Sequence, residues 1–181
     1  MRRTIVQPAD LTGDALAEFK GWLGISRPNE DQMLVDLLGA SLAMCEAFTG
    51  QAPIEQTVEE RVPVKAGRYC LTSRPVRSLT NAELVAVNGE RTSLSGLGHS
   101  FEFDAAGQAY AELKETMNGQ AVAMQVIVGI APDWSTMPRA LRQGIVRLAA
   151  YYYRDRDQGQ SAQPPASVTA LWRPWRIMRL T

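Results

Sequence analysis

One histidine and two cysteines are the only imidazole and thiol groups in the 181 residues of this chain. A Ser–His–acid triad needs an imidazole beside its nucleophile, so it would have to be built on His99. His99 lies in Gly96-Leu97-Gly98-His99-Ser100, and nothing nearby resembles a nucleophile elbow. It reads as a loop histidine near a strand start. Gly96-x-Gly98 lacks the third glycine and the following helix of a dinucleotide fingerprint. No glycine-rich loop ends in Gly-Lys-Ser/Thr. Zinc has too few Cys and His ligands. The acid pairs Glu59-Glu60 and Asp155/Asp157 do not form an acid–base dyad: strand neighbours face opposite ways, and the second pair reads as solvated. Nothing marks a carboxylate-only Mg²⁺ site. Cys45, in a helical pattern, and Cys70, in a strand pattern, read as buried thiols rather than a disulfide or a nucleophile. The residues assign no catalytic, cofactor-binding or metal-ligating group.

A different chemistry is open to Tyr151-Tyr152-Tyr153 beside Arg147, Arg154 and Arg156: stacking of bases with basic neighbours. Three consecutive helical residues span about 200° of arc, however, so at most two rings share a face. The simpler expectation puts Tyr152 in the core and its neighbours at the edge. Charge is placed unevenly. Residues 139–181 hold eight arginines, no lysine and two acids, while residues 1–138 hold eleven bases and seventeen acids. The whole is neutral, unlike a free-standing nucleic-acid binder. The split fits head-to-tail association of copies or docking on an acidic partner; a solvated basic helix face would produce the same pattern.

The elements that would carry these residues follow from periodicity. The apolar fraction, 45%, and the charged fraction, 21%, are those of a globular chain with one domain and a real core. Met1-Arg2-Arg3-Thr4-Ile5-Val6 has no apolar stretch of a secretory signal, and no run approaches ~18 apolar residues. Leu16, Phe19 and Leu23 recur at helical spacing after a Thr12 cap, predicting a helix over 14–23 closed by Gly24. Asn29 as N-cap with Gln32 three residues on opens a helix over 30–48, closed by Thr49-Gly50. Met33, Leu34, Leu37, Leu38, Ser41, Met44, Cys45 and Phe48 mark its face. From 55 to 129 the period changes to two. Val58, Val62 and Val64 share a strand face with Glu60 between them. Tyr69–Leu71, Leu84–Val87, Phe101–Phe103, Tyr110–Leu113 and Ala121–Val128 follow, with hairpin turns at Asn88-Gly89 and Asn118-Gly119. Pro138 starts a third helix over 138–156, with Leu141, Ile145, Leu148 and Tyr152 on its apolar stripe. The expected fold is α+β: a bundle of about three helices, an inserted antiparallel β lobe, a flexible linker over 158–167 and an extended tail over 168–181. Residues 1–157 form the single α+β domain.

Read in order, several segments resemble the head–tail connector proteins of long-tailed phages and of phage-derived gene transfer agents. They are Leu16-Ala17-Glu18-Phe19-Lys20, Asp31-Gln32-Met33-Leu34, Phe48-Thr49-Gly50-Gln51 and Gln56-Thr57. Further on come Arg74-Pro75-Val76-Arg77-Ser78-Leu79, Asn88-Gly89, Met137-Pro138-Arg139-Ala140-Leu141 and the closing Leu171-Trp172-Arg173-Pro174-Trp175-Arg176. The double tryptophan and the long linker depart from the commoner, shorter ending.

The resemblance implies a structural adaptor, not an enzyme, that takes no cofactor. Such a protein forms a ring below the portal, about twelve copies if it matches portal symmetry. It extends the DNA channel and meets a tail-side stopper or terminator. Duplex DNA would pass with phosphate-level contacts only, within a virion or virion-like particle assembled in the bacterial cytoplasm. Trp172, Arg173, Trp175, Arg176 and Arg179 are then the partner-binding residues of a tail poorly packed on its own subunit. Two alternatives come from the residues: a sequence-nonspecific nucleic-acid module on the basic last helix, and a small enzyme with a site near His99.

Overall fold

The computed structural model describes residues 2–94, 99–105, 107–155 and 163–177. The fold is α+β; the described residues form four helices and two antiparallel sheets, and the chain divides into two compact units. One comprises Met1–Pro8 and Glu55–Gly129; the other comprises Ala9–Ile54 and Ile130–Thr181.

The β unit holds strands β1 (Arg2–Gln7), β2 (Gln56–Val62), β3 (Gly67–Cys70), β4 (Val76–Val85), β5 (Arg91–Ser93), β6 (His99–Phe103), β7 (Ala109–Leu113) and β8 (Ala121–Val128). The order β1-β2-β8-β4-β5 makes a five-stranded sheet, and β3-β7-β6 makes a second. The single lobe sheet expected from the sequence is thus two. The first recruits an N-terminal strand that was not foreseen, because Arg2-Arg3-Thr4 carries no apolar alternation and β1 sits at an edge, largely exposed. Asn88-Gly89 does turn a hairpin between β4 and β5, with Gly89 at φ 87°. Asn118-Gly119 does not: β7 and β8 belong to different sheets. Glycine at 119 meets a close approach instead. A Cβ there would stand 2.7 Å from Leu84 Cδ1 and 3.0 Å from the Val85 carbonyl oxygen.

β8 is central and pairs with β2 and β4 along its length. Val58 and Val62 of β2 and Val122, Met124, Val126 and Val128 of β8 are buried. Glu60 shares that inward parity and is fully buried as well. Its carboxylate accepts from Thr72 N (2.8 Å), Thr72 Oγ1 (3.0 Å) and Ser73 N (2.6 Å). Glu59, pointing the other way, is covered by arginines. Arg61 Nε donates to it at 3.0 Å and Arg91 Nη1 at 2.6 Å. In a flat sheet β5 would lie three strand spacings from β2, about 14 Å, beyond an arginine's reach. The sheet therefore coils, as register shifts in β1 and β4 favour.

The hydrogen bond from Arg91, aided by Arg61, holds the Glu59 carboxyl below the usual carboxylate range against the opposing effect of burial. A carboxyl lowered on folding contributes stability that is complete above its unfolded value, about 4.3, and lost as pH falls through its folded value. Glu59→Gln is therefore expected to flatten the acid limb of the stability–pH curve below about pH 4. Urea midpoints at stepped pH check this, and equal acid sensitivity of parent and variant would exclude it.

The helical unit holds α1 (Asp14–Leu23), α2 (Asp31–Thr49), α3 (Arg139–Arg154) and α4 (Ala166–Trp172), followed by a 3-10 turn over Arg173–Trp175. Gly24 and Gly50 end α1 and α2 in the left-handed conformation, φ 72° and 75°. The expected side-chain caps are absent. Thr12 bonds Asp10 instead of the helix end, and α2 starts after Glu30 rather than at Asn29. Lys20 pairs with Asp31 at 2.5 Å, joining α1 to the first turn of α2. Leu34, Leu38, Cys45, Leu141, Ile145 and Leu148 are fully buried, and Leu37 packs at the core edge.

Candidate assembly surfaces

The C-terminal segment starts from two prolines. Pro165 sets the chain at the N-cap of α4, and the helix lays Val168 and Trp172 into the unit's core. Trp172 is 0% exposed. Its ring lies against Gly144 of α3, where a Cβ would meet Trp172 Nε1 at 2.1 Å. The indole N–H donates to the Leu141 carbonyl at 3.3 Å, and Phe48 of α2 tilts against the ring at 6.0 Å between centroids. Beyond α4 the backbone is also held. Gln51 Nε2 donates to the Trp175 carbonyl (2.6 Å), and Ile177 N donates to the Thr49 carbonyl (2.9 Å).

This corrects the expectation of a loosely packed tail. Residues 168–177 are built into their own unit, because an indole buries more apolar area than a short linker gains by leaving it free. The five residues assigned to partner binding therefore separate. Trp172 is core. Trp175 is half-buried at the edge. Arg173 and Arg176 are exposed, with the Arg176 guanidinium 5.6 Å from the Phe48 ring centre. Arg179 lies outside the described residues, as do Arg156, Asp157 and residues 158–162 of the expected linker; residues 166–167 open α4. Gly144 was missed. Its signal was a glycine inside a good helical pattern, which costs about 1 kcal/mol against alanine unless something packs there.

The arginines of α3 also separate. Arg142 is structural. Its Nε stands 3.2 Å from Glu18 Oε2 of α1, which also accepts from Trp134 Nε1 at 2.9 Å. Arg147 and Arg154 are exposed on the outer side of the helix. Tyr152 is buried, while Tyr151 and Tyr153 flank the core, with Tyr153 Oη donating to Glu30 at 2.7 Å. The three tyrosines form no continuous platform.

His99 is the first residue of β6, half-buried, rather than a loop residue. Among the described residues no group of three or more His, Cys, Asp or Glu side chains is placed to hold a metal ion. Cys45 is buried and Cys70 exposed, both as free thiols. Burial, with the neighbouring Glu46 charge, pushes the Cys45 thiol far up, away from the reactive thiolate. Among the described residues no helix is long and apolar enough to cross a membrane.

No family model and no curated protein matches the sequence. Solved structures do. A chain in the neck of an empty gene transfer agent particle, computed with C6 symmetry, aligns with TM-score 0.79 and 26% identity over 100% of this chain and 98% of that one. A chain of the virion of a native gene transfer agent particle aligns with TM-score 0.76 and 29% identity over the same shares. A chain of the native neck, computed with C12 symmetry, aligns with TM-score 0.77 and 28% identity, again over 100% and 98%. From its first strand to its last helix, the chain is a full-length structural match to neck proteins of gene transfer agent particles.

Proposed function

We propose that this chain is a structural, non-catalytic component of the neck of a gene transfer agent or phage particle. More specifically, it is an adaptor that rings the channel below the portal and presents a surface to the tail-side stopper or terminator. The full-length likeness to neck chains, 26–28% identical and solved with six- and twelvefold symmetry, carries this reading. About twelve copies close the ring through one repeated head-to-tail contact. Duplex DNA passes with contacts to phosphate and none to base edges.

The deciding experiment is electron microscopy of particles carrying a tagged copy. The expected result is a closed ring of tagged density between portal and tail. One or two copies per portal, or absence from particles, would end this reading. Exposed Arg147 and Arg154 favour a second reading, a nonspecific nucleic-acid module. That reading requires duplex-DNA affinity in the monomer that falls steeply with salt.

Within the adaptor reading, Arg173, Arg176 and the exposed edge of Trp175 form the portal-facing patch. Trp172 supports them from within. Arg173→Ala with Arg176→Ala is expected to leave stability within about 0.5 kcal/mol of the parent, as for exposed sites generally. Portal affinity should fall about 30-fold or more, since even one arginine hot spot contributes ~2 kcal/mol. Binding of purified portal to immobilised variant measures this; unchanged affinity would remove the patch.

A further inference from the structure

We infer that the contact between neighbouring copies in the ring is made within the helical unit: the outer ridge of α2 on one copy seats in a groove between α1, α3 and α4 of the next. This rests on the ring proposed above and specifies its interface. The groove is a concavity of about 350 Å³ whose lining includes Trp22, Arg147, Tyr151, Arg154 and Val168. Its floor is apolar and aromatic, and Trp22 is 45% exposed. Arg147 and Arg154 are seven residues apart, so they lie on one line of α3 about 10.5 Å from each other. Among the described residues neither has a carboxylate within ion-pair distance, whereas Arg142 of the same helix pairs with Glu18.

The occupant is written in α2. Its exposed positions Gln32, Asp36, Ala40, Ala43 and Ala47 recur at helical spacing and form one stripe. A solvated helix face normally carries charge. This one carries alanines, which let a second surface approach closely, with Asp36 near one end and half-buried Glu46 beside the other. The charges of the two surfaces are complementary. The ridge carries Asp36 and, at its flank, Glu46 with no base, and the groove lining carries Arg147 and Arg154 with no acid. The two surfaces are also different faces. The groove takes no residue from α2, and the ridge is the side of α2 turned away from the helices that bury Leu34, Leu38 and Cys45. Two unlike, complementary patches on one body are what a heterologous, ring-closing contact requires. Duplex DNA fits less well, because phosphates have no use for the apolar floor between the arginines.

Disulfide trapping inside assembled particles tests this. In a Cys70→Ser background, Ala43→Cys with Ser167→Cys is expected to give, on mild oxidation, a reducible ladder of covalent multimers. Each single-cysteine variant should stop at dimer or below. Parental copy number with no ladder overturns the inference and leaves the neck assignment standing. Absence of even the parent chain from particles removes both. Should the double-cysteine variant fail to enter particles, charge exchange decides. Arg147→Glu with Arg154→Glu is expected to lower incorporation at least tenfold at unchanged melting temperature, and adding Asp36→Arg is expected to recover much of it. No recovery overturns the inference. So does unchanged incorporation and trapping with weakened, salt-sensitive DNA binding, which would assign the groove to phosphate.

Discussion

Trp172→Ala is expected to destabilise the helical unit by about 3–5 kcal/mol, the range for truncating a fully buried tryptophan. Against a total of about 5–15 kcal/mol, that is enough to unfold much of the population at moderate temperature. The ring is fully buried, contacts Gly144 and Phe48, and donates to the Leu141 carbonyl. Its loss opens a cavity and removes the second donor of the Leu141 carbonyl, which also lies in the helical ladder of α3. The partner substitution discriminates more sharply. In a helix interior Ala is favoured over Gly by about 1 kcal/mol, so propensity alone predicts that Gly144→Ala stabilises. Packing predicts the opposite sign. A Cβ at 144 would stand 2.1 Å from Trp172 Nε1, and overpacking of this kind costs about 1–3 kcal/mol. In the Trp172→Ala background the clash is gone, and Gly144→Ala should become neutral or stabilising. A double-mutant cycle by urea denaturation measures this coupling. Independent, additive effects, or a Trp172→Ala variant within about 0.5 kcal/mol of the parent, would mean that the terminal segment is not part of the core. The same packing predicts that deleting residues 166–181 destabilises the unit rather than releasing an intact body from its anchor.

Glu60→Leu, like Glu60→Ala, is expected to destabilise the β unit by about 1–3 kcal/mol, the cost of one buried donor left unsatisfied, although position 60 lies on the apolar face of β2. The carboxylate accepts two backbone N–H groups and a hydroxyl from Thr72 and Ser73. Either replacement strands the buried Ser73 N–H, at about 1–3 kcal/mol, while the Thr72 N–H belongs to an exposed residue and turns to water. Glu60→Gln keeps one accepting oxygen and is expected to lose less than half as much. Denaturation of the three variants separates a hydrogen-bonding role from a packing role. If leucine raises stability, the carboxylate is replaceable by apolar volume and this account of β2 is wrong.

Much of the secondary structure was legible because its signals are local. The apolar stripes of α2 and α3 and the glycines at 24 and 50 act within a turn or two of chain, so period and stop residue place these helices within one or two residues of their observed ends. The Asn88-Gly89 hairpin is local in the same way. Features decided by distant pairing were not legible. β1 is a strand because β2 offers an edge some fifty residues away, and nothing in Arg2–Gln7 announces that partner. Asn118-Gly119 has the composition of a hairpin turn, but β7 and β8 pair with other strands, and the glycine answers to Leu84 and Val85 instead. Glu60 reads as a polar interruption until Thr72 and Ser73 supply its donors. The terminal segment shows the limit most clearly. Tryptophan, arginine and proline after a polar linker have the composition of an exposed anchor, and by composition alone Trp172 and Trp175 are equivalent. Only the notch at Gly144, 28 residues before Trp172 in the chain, takes one indole into the core and leaves the other at the edge. Sequence by itself determined where the chain turns, caps and alternates, because those preferences reside in neighbouring residues. Tertiary structure decided which polar groups are buried and which aromatic ring is structural, because burial depends on partners that only the folded chain brings together.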